Sequence, residues 1–148
     1  MRFILIDKIT DFKPGNHAEA IKNITLSEDF FDDHFPLKPV MPGVLILEGL
    51  IEIAGLLLEE TIKSQQGLNV KALISVIEKT KFRDFATPGD QLIYQVKIES
   101  IDEKKGKIKG RILRDNSRIG DAKLVFTLHE IENPRLSQHH KELLGLET

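Results

Sequence analysis

The sequence predicts an α+β domain in which an antiparallel sheet curls around one long buried helix. Three observations lead there. The window Val44 to Leu58 is apolar on nearly every face of a 3.6-residue helix. Segments on both sides of it carry the alternating or β-branched pattern of strands, separated by Pro, Gly, Asp and Asn turn signals. The whole chain is 148 residues, which is one domain with enough length to bury a core.

Taken in order, Phe3 to Phe12 reads as a strand ended by Pro14-Gly15, and Glu19 to Leu26 as a looser second strand. Ser27 to Met41 reads as an ordered loop stiffened at its end by Pro36 and Pro39, with Pro42 following. Pro42 suits a helix's first turn, where its missing N–H costs nothing. The helix then runs from Gly43 to about Ser64, and Gly67 and Asn69 end that region.

The remainder reads as strands. Ala72 to Phe82 is β-branched, and Thr87-Pro88-Gly89-Asp90 is a turn. Gln91 to Ile101 places Leu92, Tyr94, Val96 and Ile98 on one face. Asp102 to Gly106 forms a polar hairpin tip, and Lys107 to Arg114 follows it. Asp115-Asn116-Ser117 turns the chain into Arg118 to Ile131, and Pro134 stops the sheet. Residues 1–136 are expected to form the single domain, and 137–148 a polar tail. A lone sheet covers one side of such a helix, so an oligomer is expected.

Composition narrows the function. The chain is 41% hydrophobic and 30% charged with net charge -2, which argues against a nucleic-acid binder. It has no cysteine, so disulfides, thiolate nucleophiles and cysteine-based metal sites are excluded, and the cytoplasm is the expected compartment. The apolar run at the N-terminus is too short for a signal-peptide core. The apolar window Val44 to Leu58 is only 15 residues long and contains Glu48 and Glu52, so it is too short and too charged to span a bilayer.

Chemistry concentrates between His34 and Glu48. Prolines 36, 39 and 42 stiffen the loop from which His34 hangs. A helix beginning at Pro42-Gly43 presents unpaired N–H groups with no side chain at Gly43 to obstruct a ligand, which suits an oxygen gaining negative charge. Glu48 falls in the helix's apolar stripe, where desolvation would raise its pKa and favour a proton-carrying acid. A base, an oxyanion site and an acid suit proton abstraction beside a thioester carbonyl with loss of a β-hydroxyl. No metal or redox cofactor is needed for that.

These residues resemble the β-hydroxyacyl-acyl-carrier-protein dehydratases of fatty-acid synthesis, which have the hot-dog fold. The resemblance rests on His34-Phe35-Pro36, Pro39 to Leu45 and Glu48, with a second match at Phe82-Arg83 and Pro88 to Leu92. It spans roughly residues 5 to 130. It implies that His34 is the base at the α-carbon and that Glu48 supplies the proton for the departing hydroxyl. It also implies that the Gly43 N–H, with Val44 beside it, holds the thioester carbonyl. The implied partners are an acyl carrier protein and a second copy of the chain, since His and acid of one site come from different subunits. Such dimers often build hexamers.

The chain departs from that family at Leu37-Lys38 and at Gly49-Leu50-Ile51-Glu52, where an Ala-x-Ala-Gln run is common. Glu52 shares a helix face with Glu48, so one of them stays protonated or Glu52 meets a cation across the interface, such as Arg83 or Lys81. Glu52 is therefore a candidate modulator of the site. The departure also keeps two other readings open: a non-catalytic or specialised acyl-thioester-binding paralogue, and a thioesterase using Glu52. Other histidines read as structural (His17, His129) or solvated (His139-His140). The basic runs Lys104 to Arg111 and Lys79-Lys81-Arg83 read as solvated faces, with carrier docking the alternative.

Overall fold

The structure, a computed structural model, describes residues 5–31, 39–131, 142 and 145. Six strands form one antiparallel sheet: β1 (Lys8–Lys13), β2 (His17–Asn23), β3 (Val70–Phe82), β4 (Gln91–Ile101), β5 (Lys105–Arg114) and β6 (Ser117–Glu130). Their order across the sheet is β1-β2-β4-β5-β6-β3. The helix α1 (Gly43–Gln66) packs on the inner face, touching β2 through β6. This is the hot-dog arrangement, an α+β fold.

Alternation decides which residues meet the helix. In β5, Gly106, Ile108, Gly110 and Ile112 are buried while Lys105, Lys107, Lys109 and Arg111 are exposed. In β4 the inward set is Leu92, Tyr94 and Val96, as the sequence pattern predicts. The two β5 glycines have a packing reason. A Cβ on Gly110 would meet Leu50 Cδ2 at 2.7 Å, and one on Gly106 would meet Leu58 Cδ2 at 2.6 Å. Leu50 and Leu58 are both 0% exposed, seated in the gaps those glycines leave. Burying each leucine side chain contributes about 1.5–3 kcal/mol.

α1 outlasts the expected end at Ser64 by two residues. Gly67 adopts φ 69° and returns its N–H to the Lys63 carbonyl at 2.9 Å, a left-handed cap that lets the last turn complete. Pro42 sits just before the helix, with φ -57° and ψ 134°, and its carbonyl accepts the N–H groups of Leu45 and Ile46.

Boundaries differ where pairing competes with hydrophobicity. β1 starts at Lys8, because Leu5 and Ile6 plug the core at 4% and 2% exposure instead of joining the ladder. β2 is His17–Asn23, displaced from the expected Glu19–Leu26. Ile24 leaves the strand pairing to bond the 89–90 turn, and Leu26 is exposed. The β4–β5 tip is tighter than expected. The Asp102 carboxylate accepts the N–H groups of Lys104 and Lys105, so Lys105 and Gly106 already belong to β5. Asp115 and Asn116 both take positive φ, 51° and 64°, making the β5–β6 turn a two-residue hairpin that leaves Ser117 in β6. Pro134 and the tail to Thr148, except residues 142 and 145, lie outside the described residues.

β3 forms one edge of the sheet, paired on one side only, with β6. Along it Leu73, Ile74, Val76 and Ile77 are 49%, 39%, 43% and 45% exposed. No helix among the described residues is long and apolar enough to cross a membrane.

Candidate active site

Two loops meet at the start of α1. Met41 N–H bonds the carbonyl of Ala86, itself fully buried, which ties the segment before the helix to the turn before β4. The Phe82 ring, at the end of β3, lies over Gly43: a Cβ there would stand 3.2 Å from Phe82 Cε2. The missing side chain therefore serves packing as well as leaving the first helical turn bare. Pro42 provides no side-chain cap, and the N–H groups of Gly43 and Val44 have no partner among the described residues.

Val44 and Glu48, one turn apart, both face outward. Val44 is 73% exposed and Glu48 is exposed too. The sheet of the same chain does not cover this part of the helix, so the single chain does not desolvate Glu48 as its apolar neighbourhood in the sequence predicts. Further along the same face cover increases: Ile51 and Glu52 are half-buried, Gly55 and Glu59 buried. A furrow of about 150 Å³ follows this ridge between α1, β3 and β6, lined among others by Glu48, Glu52 and Glu59.

Glu52 has an answer the sequence did not offer. Its Oε2 accepts the backbone N–H of Leu5 at 2.9 Å, fastening the segment before β1 to the helix. Arg83, one of the cations suggested for it across an interface, bonds Asp121 of its own chain at 2.5 Å. Glu59, 4% exposed, similarly accepts the N–H of Ala72 at 3.0 Å, with Lys71 Nζ at 3.4 Å. These carboxylates act as backbone acceptors that join the helix to the segment before β1 and to the edge strand β3.

Sequence reasoning missed the Tyr94–Gly49 contact. Tyr94 reaches inward from β4, 0% exposed, and its hydroxyl lies against Gly49, the residue after Glu48. That hydroxyl has no hydrogen-bond partner among the described residues. Burial, with the Glu52 carboxylate adding to it, pushes the phenol far above the usual tyrosine range. Its place in the β4 alternation was readable, but its target across the core was not.

Of the sequence-predicted site residues, Gly43, Val44, Glu48 and Glu52 share the first two and a half turns of α1. His34 lies outside the described residues, as do Phe35 and Pro36. His17, the first residue of β2, bonds Asp11 at 2.7 Å and Asn16 at 3.0 Å. Among the described residues no group of three His, Asp or Glu side chains could hold a metal.

The family model described as FabA-like domain matches residues 1–128. The 3-hydroxyacyl-[acyl-carrier-protein] dehydratase FabZ of Shewanella frigidimarina is 38% identical over 130 residues, 88% of this chain and 85% of that protein. FabZ of Thioalkalivibrio sulfidiphilus is 38% identical over 134 residues, covering 88% and 90%. Among solved structures, the dehydratase heterocomplex ApeI:P from Xenorhabdus doucetiae superposes with TM-score 0.71 at 15% identity, over 92% of this chain and 88% of that one. A hypothetical thioesterase with coenzyme A from Streptococcus pneumoniae gives 0.66 at 10% identity, over 85% and 88%. At those identities the structural matches speak for the fold alone.

Proposed function

The chain belongs to the FabA-like domain family, and from that premise we infer a 3-hydroxyacyl-[acyl-carrier-protein] dehydratase acting in fatty-acid or related lipid synthesis. The observation that carries it is 38% identity to FabZ dehydratases over 88% of the chain. The enzyme is a hydro-lyase that removes water from a 3-hydroxyacyl thioester to leave the trans-2-enoyl thioester.

The roles follow from the chemistry. His34 takes the α-proton, and the electron pair moves into the thioester as enolate character. The N–H of Gly43, with Val44 in the same turn, stabilises the carbonyl oxygen at the helix's positive end. Glu48 gives its proton to the β-hydroxyl, which leaves as water while the α,β double bond forms. The imidazolium then returns a proton so that Glu48 is an acid again. Support for Glu48 and Gly43 comes from their placement on one bare helix end; support for His34 comes from its motif.

A second copy of the chain completes the site. The unpaired edge of β3, with four aliphatic side chains more than a third exposed, is the kind of edge a folded protein covers. Pairing two β3 edges would bury it and shelter Val44 and Glu48 from solvent. A homodimer, assembling further into a hexamer, is the proposed state. The acyl group arrives on an acyl carrier protein, and the proposed compartment is the cytoplasm. The identity to FabZ dehydratases favours this reading over a thioesterase.

The test is turnover of a 3-hydroxyacyl thioester followed by enoyl absorbance. His34→Ala and Glu48→Gln are each expected to lower kcat by roughly 10²–10⁴ with the fold intact. Equal background rates in wild type and His34→Ala would overturn the assignment.

A further inference from the structure

A groove lies on the other side of the sheet from α1. It has a volume of about 980 Å³ and crosses β2, β4, β5, β6 and β3 on their outer face. Its lining carries seven Lys or Arg side chains against two acids, Glu19 and Asp121, in a chain whose net charge is -2. Positive charge is therefore concentrated on this face.

The register sharpens the point. Lys97 stands directly opposite Lys109, and Lys109 directly opposite Lys123. Like charges facing each other across adjacent strands are unfavourable for the sheet. Lys123 has Glu99 at 3.7 Å, whereas Lys97 and Lys109 have no acid partner among the described residues. At the far wall β3 carries a bulge between Glu78 and Lys81, where Lys79 adopts φ 49°, a conformation that favours glycine. The bulge brings the Lys79 side chain to the groove. Ammonium groups are thus gathered at one place against strand repulsion and backbone strain.

The rest of the lining selects the ligand. Its one ring is the imidazole of His17, tied to Asp11 and Asn16, and no Phe, Tyr or Trp lines it for a nucleobase to stack on. Its aliphatic side chains, Ala18, Val96 and Ala122, are at most 4% exposed, so none stands out of the groove as an anchor for a protein interface or a membrane. Its volume is at the upper end of the roughly 300–1,000 Å³ usual for small-molecule sites. Lysine ammonium groups are point charges well suited to phosphate. We propose that this groove binds a small soluble molecule carrying two or more phosphate groups. The inference is independent of the dehydratase reading.

Titration calorimetry of the intact protein with inorganic pyrophosphate tests it. Wild type is expected to bind one pyrophosphate per chain, with affinity falling as salt rises. The double variant Lys97→Gln/Lys109→Gln is expected to lose at least tenfold in affinity. Lys79→Gly keeps the positive φ and removes the amine, and should weaken binding severalfold. Dehydration should be unchanged in both variants, so a failed groove and a failed enzyme assignment are told apart. Three results would overturn the proposal: a pyrophosphate Kd above about 1 mM, affinity unaltered in correctly folded variants, or lysine-dependent capture of an acidic protein or anionic vesicles without pyrophosphate binding.

Discussion

The Tyr94 hydroxyl occupies the space that a methyl on Gly49 would need: a Cβ there would stand 2.6 Å from the oxygen and 2.8 Å from Cζ. Gly49→Ala is therefore expected to destabilise the fold by about 1–3 kcal/mol, because the tyrosine is walled in and cannot retreat. Tyr94→Phe removes a buried, unpartnered hydroxyl and should be neutral or stabilising by roughly 1 kcal/mol. Denaturant unfolding of the two variants and their combination checks both signs, with part of the alanine penalty relieved in the double variant.

Tyr94 is the only tyrosine, and the chain has no tryptophan, so its ionisation can be followed without interference. Burial first, then the Glu52, Glu28 and Asp7 carboxylates, raise its pKa above the ordinary 10.0. The folded chain keeps a proton that the unfolded chain releases. Its contribution to stability is thus fully present below pH 10 and falls as pH rises beyond it. Tyrosinate absorbance should appear only with the loss of secondary structure in alkali. Ionisation near pH 10 in a folded protein would contradict the burial argument.

Glu52→Ala should free the Leu5 N–H and cost about 1.5–3 kcal/mol, the usual worth of a hydrogen bond to a charged group. Amide exchange at Leu5 should quicken in step. Glu52→Gln retains an acceptor oxygen and should restore most of that protection. Its turnover should remain within a few-fold of wild type, in contrast to the large loss expected for Glu48→Gln.

The Asp102 carboxylate caps the β4–β5 turn, and its pKa is lowered first by the Lys104 N–H and then by that of Lys105. A depressed folded value means that stabilisation is present above the ordinary 3.8 and lost as pH falls through the folded value. Asp102→Ala should remove that part of the acid dependence. It should also speed exchange of the Lys104 and Lys105 amides selectively.

How far the sequence could be read depends on the range of the interaction. Gln91–Ile101 is legible to the residue because its alternation and the preceding Pro-Gly-Asp turn are local. Pro42 and Gly67 mark the helix ends for the same reason. Leu5 and Ile6 mislead, because a short apolar run looks the same whether it enters a ladder or plugs a core. The fate of Glu52 depends on a residue 47 positions away. The exposure of Glu48 reflects what one chain leaves uncovered, which no helical pattern reveals. At the candidate site, motif spacing identified the helix end, whereas Tyr94 against Gly49 required coordinates.

The two leucines seated over glycines also work as a gauge. Leu50 to Leu58 is eight residues of helix, about 12 Å of rise, and Gly110 to Gly106 is four residues of strand, about 13 Å. Two rulers with different graduations agree over that span, so both pegs enter their sockets at once only when α1 stands at one axial setting. A single-residue insertion between the pegs, in either element, would put them out of mesh. The carboxyl of Glu48, two residues before the first peg, is held at its height by a match made along the length of β5.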